Sequence, residues 1–299
     1  MKRISVFVVL MVLLVSATLL ANDTPRIAVI SAFGAELTVL KAQAEIEEVF
    51  MLNGRSYTTG VLRGHDVVMF ETGVSMVNAA MNTQLLLDNF NVTHIVFSGI
   101  AGGVNPDLNI GDVTVPAQWA QYQEAFFAKD TDDGWDVGWH ETPFPNFDMS
   151  FPQTVDVARD GLGEVDAEEE MFWFSVDPDM LAVAYEIIDD VELLSEVGEA
   201  KLENIPKLVV GGNGVSGQTF VNNAEYRDYV FVTFSADALD METSAVAHVA
   251  YANEVPYIAF RSLSDLAGGG PGMNQVRTFF GVAALNAAEV LIEWLEAWD

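Results

Sequence analysis

From residue 27 onward, short apolar runs alternate with stretches whose apolar residues recur at helical spacing, and this alternation most constrains the fold. Runs at 27–31, 57–62, 66–71, 93–97, 112–115 and 207–211 read as strands, with Arg63-Gly64 as a connecting turn. Leu37, Leu40, Ala44, Ile46, Val49 and Phe50 predict a helix after the first strand. Further helices are expected over 77–90, from Asp177-Pro178 through 188, over 224–230, and over 275–298, the last with Phe279, Val282, Leu285, Val290 and Trp294 on one face. Strands alternating with helices predict an α/β fold of three layers, a central mixed twisted sheet flanked by helices. With 51% apolar residues among 299, one domain spanning 25–299 can bury the core.

The stretch 121–170 breaks the rhythm with Asp, Gly, Pro and the aromatics Trp135, Trp139, Phe144, Phe147 and Phe151. Its aromatics predict an excursion packed on the domain, serving as an interface or as a lid over the ligand. At the other end, Lys2-Arg3, an uncharged run from Ile4 to Leu20 and the small Ala21 describe a secretory signal over 1–21. Cleavage after Ala17 or Ala21 is expected, giving an exported, periplasmic or secreted protein without stable membrane association. Forty-four acidic against thirteen basic side chains leave a net charge of −31, which repels phosphate backbones and speaks against nucleic-acid binding. The four histidines, His65, His94, His140 and His248, have no metal-ligand spacing and are expected to be structural.

Two segments carry acids at the junction of an apolar strand and a small-residue helix: Ala238-Leu239-Asp240-Met241-Glu242-Thr243-Ser244-Ala245 and Phe260-Arg261-Ser262-Leu263-Ser264-Asp265. A lone acid in that position is most simply a helix N-cap. Glu36, in Ile27-Ala28-Val29-Ile30-Ser31-Ala32-Phe33-Gly34-Ala35-Glu36, is a third in a matching context, and three together point to chemistry. With the glycine-rich Ser98-Gly99-Ile100-Ala101-Gly102-Gly103, these segments resemble the nucleoside phosphorylase and nucleosidase superfamily, closest to the methylthioadenosine/S-adenosylhomocysteine nucleosidases. The likeness runs from about Arg26 to Trp298 with the motifs in family order. Ile110-Gly111-Asp112-Val113-Thr114-Val115-Pro116 and the long excursion are similar to the exported and plant storage-type branches.

The resemblance implies hydrolysis of the N-ribosyl bond of a purine nucleoside, which needs protonation of the leaving base and a nucleophile on the opposite face of the sugar. It assigns Asp265 to protonate the purine near N7, Glu36 to orient and deprotonate water, and Glu242, beside Met241, to hold the ribose hydroxyls. Phe220 is implied to stack on the purine and the Val221 backbone to meet its edge, while Ile100, Gly102 and Ser264 line the ribose and base pocket. Phe33 stands where the nucleosidases often have methionine, and Ile100 where a small hydroxyl residue is common. Burial is expected to keep Asp265 protonated while Glu36 stays ionised, so that the two pKa values are pushed apart. No cofactor or metal is implied; a homodimer is. Two alternatives stand beside hydrolysis: a phosphorylase, using Arg63, Arg227, Arg261 or Arg277 for phosphate, and a nucleoside-binding or storage-type protein without turnover.

Overall fold

A computed structural model describes residues 24–163, 167–270 and 273–298; the leader expected over 1–21 lies outside them. The centre is a mixed twelve-stranded sheet. Its strands are β1 (Arg26–Ser31), β2 (Glu45–Leu52), β3 (Arg55–Leu62), β4 (His65–Glu71), β5 (Val92–Gly103), β6 (Val113–Val115), β7 (Gln118–Ala120), β8 (Trp173–Ser175), β9 (Leu208–Val210), β10 (Asn213–Ser216), β11 (Ala236–Asp240) and β12 (Tyr257–Asp265). The main path is β8-β7-β10-β11-β5-β1-β4-β3-β2, while β12 pairs with β5 and β6, and β9 with β6. Parallel pairs β4-β1-β5-β12 form the heart, with Ile30 beside Phe97 and Phe97 beside Ala259. Their faces are buried on both sides, which is why these strands read as unbroken apolar runs.

Among the described residues, six helices cover the sheet: α1 (Gly34–Lys41), α2 (Met76–Leu87), α3 (Pro178–Glu186), α4 (Ala224–Phe234), α5 (Thr243–Ala252) and α6 (Val276–Ala297). Local chemistry starts them where expected. Asp177 caps α3 by accepting the N–H groups of Asp179 and Met180 at 3.0 and 3.1 Å, with proline at the first helical position. Asn223 caps α4 by accepting the Tyr226 N–H at 2.8 Å. The length and apolar face of α6 come from its place against the sheet, where Val282, Leu291, Trp294 and Leu295 are buried. Each such large side chain contributes roughly 1.5–3 kcal/mol by leaving water. Trp294 also satisfies its indole N–H on the Met180 carbonyl at 2.9 Å.

Two expectations need correction. The first helix stops at Lys41, and residues 45–52 form β2, paired antiparallel with β3. The apolar residues that read as a helical stripe belong to an edge strand, where Ile46, Val49 and Met51 are exposed and Glu45, Glu47 and Glu48 supply edge charge. The excursion is not irregular but a set of short antiparallel pairs: 125–127 with 150–152, 129–131 with 134–136, and 155–158 with 168–171. Phe144 and Phe147 pack, against Phe172 at 4.1 Å and Tyr226 at 4.8 Å, and Phe151 is buried. Trp135 and Trp139 do not pack inward; Trp139 is 86% exposed and stacks on His140.

Candidate active site

The carboxyl ends of β1, β5, β11 and β12 meet at one place, and a cavity of about 240 Å³ opens there. Ligands in open α/β sheets lodge at this end because the chain turns from strand to helix and presents N–H groups and side chains together. All ten residues singled out from the sequence line it: Glu36, Asp265, Glu242, Met241, Phe220, Val221, Ser264, Phe33, Ile100 and Gly102. Its other walls include Val74, Thr219, Asp240, Val276 and Phe280. Among the described residues, none from the excursion lines it.

Glu36 lies in the first turn of α1, just past the end of β1, and is 1% exposed. Its Oε2 accepts the N–H groups of Ala32 and Phe33 at 2.9 and 3.4 Å, and its Oε1 accepts that of Ile100 at 2.9 Å. Burial nevertheless pushes its carboxyl up to about 7, outweighing the Arg261 charge and the three N–H donors that pull it down. Glu242 follows β11 and accepts the Ser75 N–H at 2.6 Å. Ser75 has φ 80° and ψ 157°, a conformation that costs a non-glycine residue about 1–3 kcal/mol. That backbone twist is what aims its N–H at the carboxylate. Burial, then the neighbouring Asp240, raises Glu242 to about 7 against the pull of Arg261.

Asp265 ends β12, 3% exposed. Oδ1 accepts the Ala267 N–H at 2.8 Å and the Asn274 amide at 3.0 Å, while the Ser264 hydroxyl donates to Oδ2 at 3.1 Å. Burial raises its pKa and these donors lower it, with burial prevailing. Glu36 and Asp265 were expected to move apart. Instead both move up, because desolvation is shared by every carboxylate around one closed cavity.

Asp240 in the cavity wall belongs to a buried ion pair with Arg261, a residue that the sequence offers only as a phosphate ligand. Arg261, fully buried in the middle of β12, sets Nε 2.8 Å from Asp240 Oδ2 and donates to Thr243 Oγ1 from Nε and Nη2 at 2.9 and 2.7 Å. Its guanidinium lies 3.9 Å from the centre of the Phe97 ring. Asp240 accepts in addition from the Ser216 and Thr243 hydroxyls and from the Glu242 and Thr243 N–H groups. Gly99 makes room: a Cβ there would overlap Arg261 Nη1 and stand 2.9 Å from Glu36 Oε1. The visible signal was a charged residue inside an apolar strand, at Arg261, and an acid ending another, at Asp240.

Of the arginines considered for phosphate, none lines the cavity. Arg63 pairs with Glu296 at 2.9 Å, Arg227 donates to the Gly103 carbonyl at 3.0 Å, Arg261 holds Asp240, and Arg277 is exposed. The histidines take packing roles: His65 contacts the Leu295 carbonyl at 2.8 Å, His248 bonds Gln121 at 2.8 Å, His94 meets Trp298 edge-on, and His140 stacks on Phe126.

Sheet and site define an α/β protein that takes a small ligand among buried carboxylates at the carboxyl ends of its strands. The phosphorylase superfamily model matches residues 26–296, and the chain belongs to that family. It is 27% identical to the 5′-methylthioadenosine/S-adenosylhomocysteine nucleosidase of Staphylococcus carnosus over 91% of this chain and 99% of that protein. To the nucleosidase of the same name from Bacillus subtilis it is 26% identical, over 90% and 97%. Among solved structures it is similar in fold to futalosine hydrolase of Helicobacter pylori (TM-score 0.69, 21% identity, 92% of this chain and 98% of that one). A 5′-methylthioadenosine/S-adenosylhomocysteine nucleosidase from S. pneumoniae, solved with a transition-state inhibitor, gives TM-score 0.68 at 23% identity over 92% and 100%.

Proposed function

We propose that this chain hydrolyses the N-ribosyl bond of a purine nucleoside of the methylthioadenosine/adenosylhomocysteine type, releasing adenine and a ribose derivative. The observation that carries the reading is one cavity holding Glu36, Glu242 and Asp265, all three buried, with burial pushing Glu36 and Glu242 up to about 7 and Asp265 upward from its ordinary value. A group with a pKa near the working pH both holds and releases a proton readily, as acid-base catalysis needs. Asp265 donates its proton to the departing purine, Glu36 takes one from the attacking water, and Glu242 accepts hydrogen bonds from the ribose hydroxyls. Apolar Phe33, Val74, Val276 and Phe280 suit an alkylthio substituent. Water is favoured over phosphate because no lysine or arginine is among the described residues lining the cavity, and Glu36 would repel the anion.

The test is adenine release from methylthioadenosine, adenosylhomocysteine and adenosine, with and without phosphate, beside Asp265→Asn. Phosphate-independent release that falls ~10²–10⁴-fold in the variant is expected. A phosphate requirement would make the chain a phosphorylase, and binding without release would make it a nucleoside-binding protein. Export follows from the charged, apolar and small-residue order of residues 1–21, and N-terminal sequencing of the exported protein checks it. A homodimer is supported by exposed Val74, which lines the cavity, and by exposed Val77 and Met81 on α2 just after it; sedimentation measures it.

A further inference from the structure

The side chain of Asn274 makes three hydrogen bonds at once, and each uses a different capacity of its amide. One N–H donates to Asp265 Oδ1 at 3.0 Å and the other reaches Asn222 Oδ1 at 3.3 Å. Its own Oδ1 accepts the Val276 N–H at 2.9 Å, at the start of α6. The amide orientation is determined by these partners: flipped, it would set its oxygen against a carboxylate and its nitrogen against a backbone N–H. Asn274 therefore ties the acid to the loop after Val221 and to the helix that brings Val276 and Phe280 to the cavity.

We propose that Asn274 is a positioning residue for the reaction: with the Ala267 N–H it occupies Asp265 Oδ1 as an acceptor, leaving Oδ2 as the oxygen that carries the transferable proton. Both donors on Oδ1 are amide N–H groups, which cannot reverse and accept. Among the described residues, Oδ2 has one hydrogen-bond partner, the Ser264 hydroxyl, which can turn and accept instead. A proton on Oδ1 would meet two N–H donors; on Oδ2 it meets none that is fixed. The inference rests on Asp265 being the acid of the proposed hydrolysis.

The charged and titratable groups around Asp265 are Glu36, Asp240 and Glu242 across the cavity, Arg261 on its own strand behind it, and Arg227 on α4 beside Gly269. Among the described residues, none of these groups hydrogen-bonds Asn274. Removing the Asn274 donor takes away one of the influences that lower the Asp265 pKa, so the acid holds its proton to higher pH.

The experiment is the pH profile of kcat/KM for adenine release by the wild type, Asn274→Ala, Asn274→Asp and Asp265→Asn. On the acid branch the rate is governed by Glu36, and on the alkaline branch by the acid constant of Asp265, so the ratio of the two branches isolates Asp265 from any uniform loss. Asn274→Ala should raise the alkaline-to-acid ratio by about tenfold, the worth of one charge-assisted hydrogen bond. Asn274→Asp keeps the acceptor for the Val276 N–H but replaces the donor by a second carboxylate, and should raise it further. If Asn274 served only to cap α6, Asn274→Ala would lower the rate equally at all pH and Asn274→Asp would resemble the wild type; either result overturns the proposal. If Asp265→Asn retained full activity, it is the hydrolytic reading of Asp265 that would fail.

Discussion

Replacing Glu36 with glutamine separates what this carboxylate does for catalysis from what it costs the fold. Its pKa in the folded protein is about 7 against an ordinary 4.5, a carboxylate that binds its proton more tightly when folded than when unfolded. Stability from such a group is fully present below about pH 4.5 and is lost as pH rises through about 7. At 1.36 kcal/mol per unit, ionising Glu36 inside the protein costs about 3 kcal/mol, of which about 2.5 kcal/mol develops between about pH 5 and pH 8. Glutamine has no such dependence. It does turn an amide toward N–H donors of Ala32, Phe33 or Ile100, which costs about 1–3 kcal/mol at every pH. The informative quantity is therefore the wild-type stability minus that of Glu36→Gln, measured by urea unfolding at the two pH values. It should move against the wild type by about 2–3 kcal/mol from about pH 5 to about pH 8. Loss of the Glu36 charge also relieves Glu242, which shifts the difference in the same direction. Adenine release should meanwhile fall ~10²–10⁴-fold. A stability difference that stayed constant with pH would show that Glu36 is not held protonated by burial, and the argument from desolvation would fail.

Gly99→Ala should lose most activity and destabilise the protein by several kcal/mol, on the order of other overpacked cores, because the added methyl overlaps Arg261 and crowds Glu36; calorimetry and the adenine assay check it. Arg261→Met should cost about 3–5 kcal/mol, since Asp240 is left buried without its partner charge. The same variant removes the cation that holds Glu36 and Glu242 down, so the acid limb of the rate profile moves to higher pH.

Strand ends and their acids were legible because burial on both faces writes an unbroken apolar run, and a carboxylate at its end stands out against it. That is how Glu36, Glu242 and Asp265 stood out as acids, while Phe33, Ile100, Phe220 and Val221 came from the resemblance to the nucleosidases. The misreading of 45–52 has the opposite cause: on an edge strand one side faces solvent irregularly, and Ala44, Ile46, Val49 and Phe50 fall at helical spacing by coincidence. Trp139 shows the same limit, an aromatic whose exposure depends on which neighbour it stacks against.

What side-chain patterns carry least is the part of the site made by backbone and by missing atoms. Ser75 contributes an N–H through a φ of 80°, so its side chain carries no signal of its place at Glu242. Gly99 contributes an absence, the space in which Arg261 and Glu36 approach each other from β12 and α1. The charge of Arg261 then acts on two carboxylates that lie 19 and 225 positions away along the chain, neither of which it contacts by hydrogen bond. Desolvation has the same character, since it belongs to the closed cavity and not to any residue in it. The protonation states on which the chemistry depends are thus set by the assembled fold, while the residues that change protonation are set by local sequence.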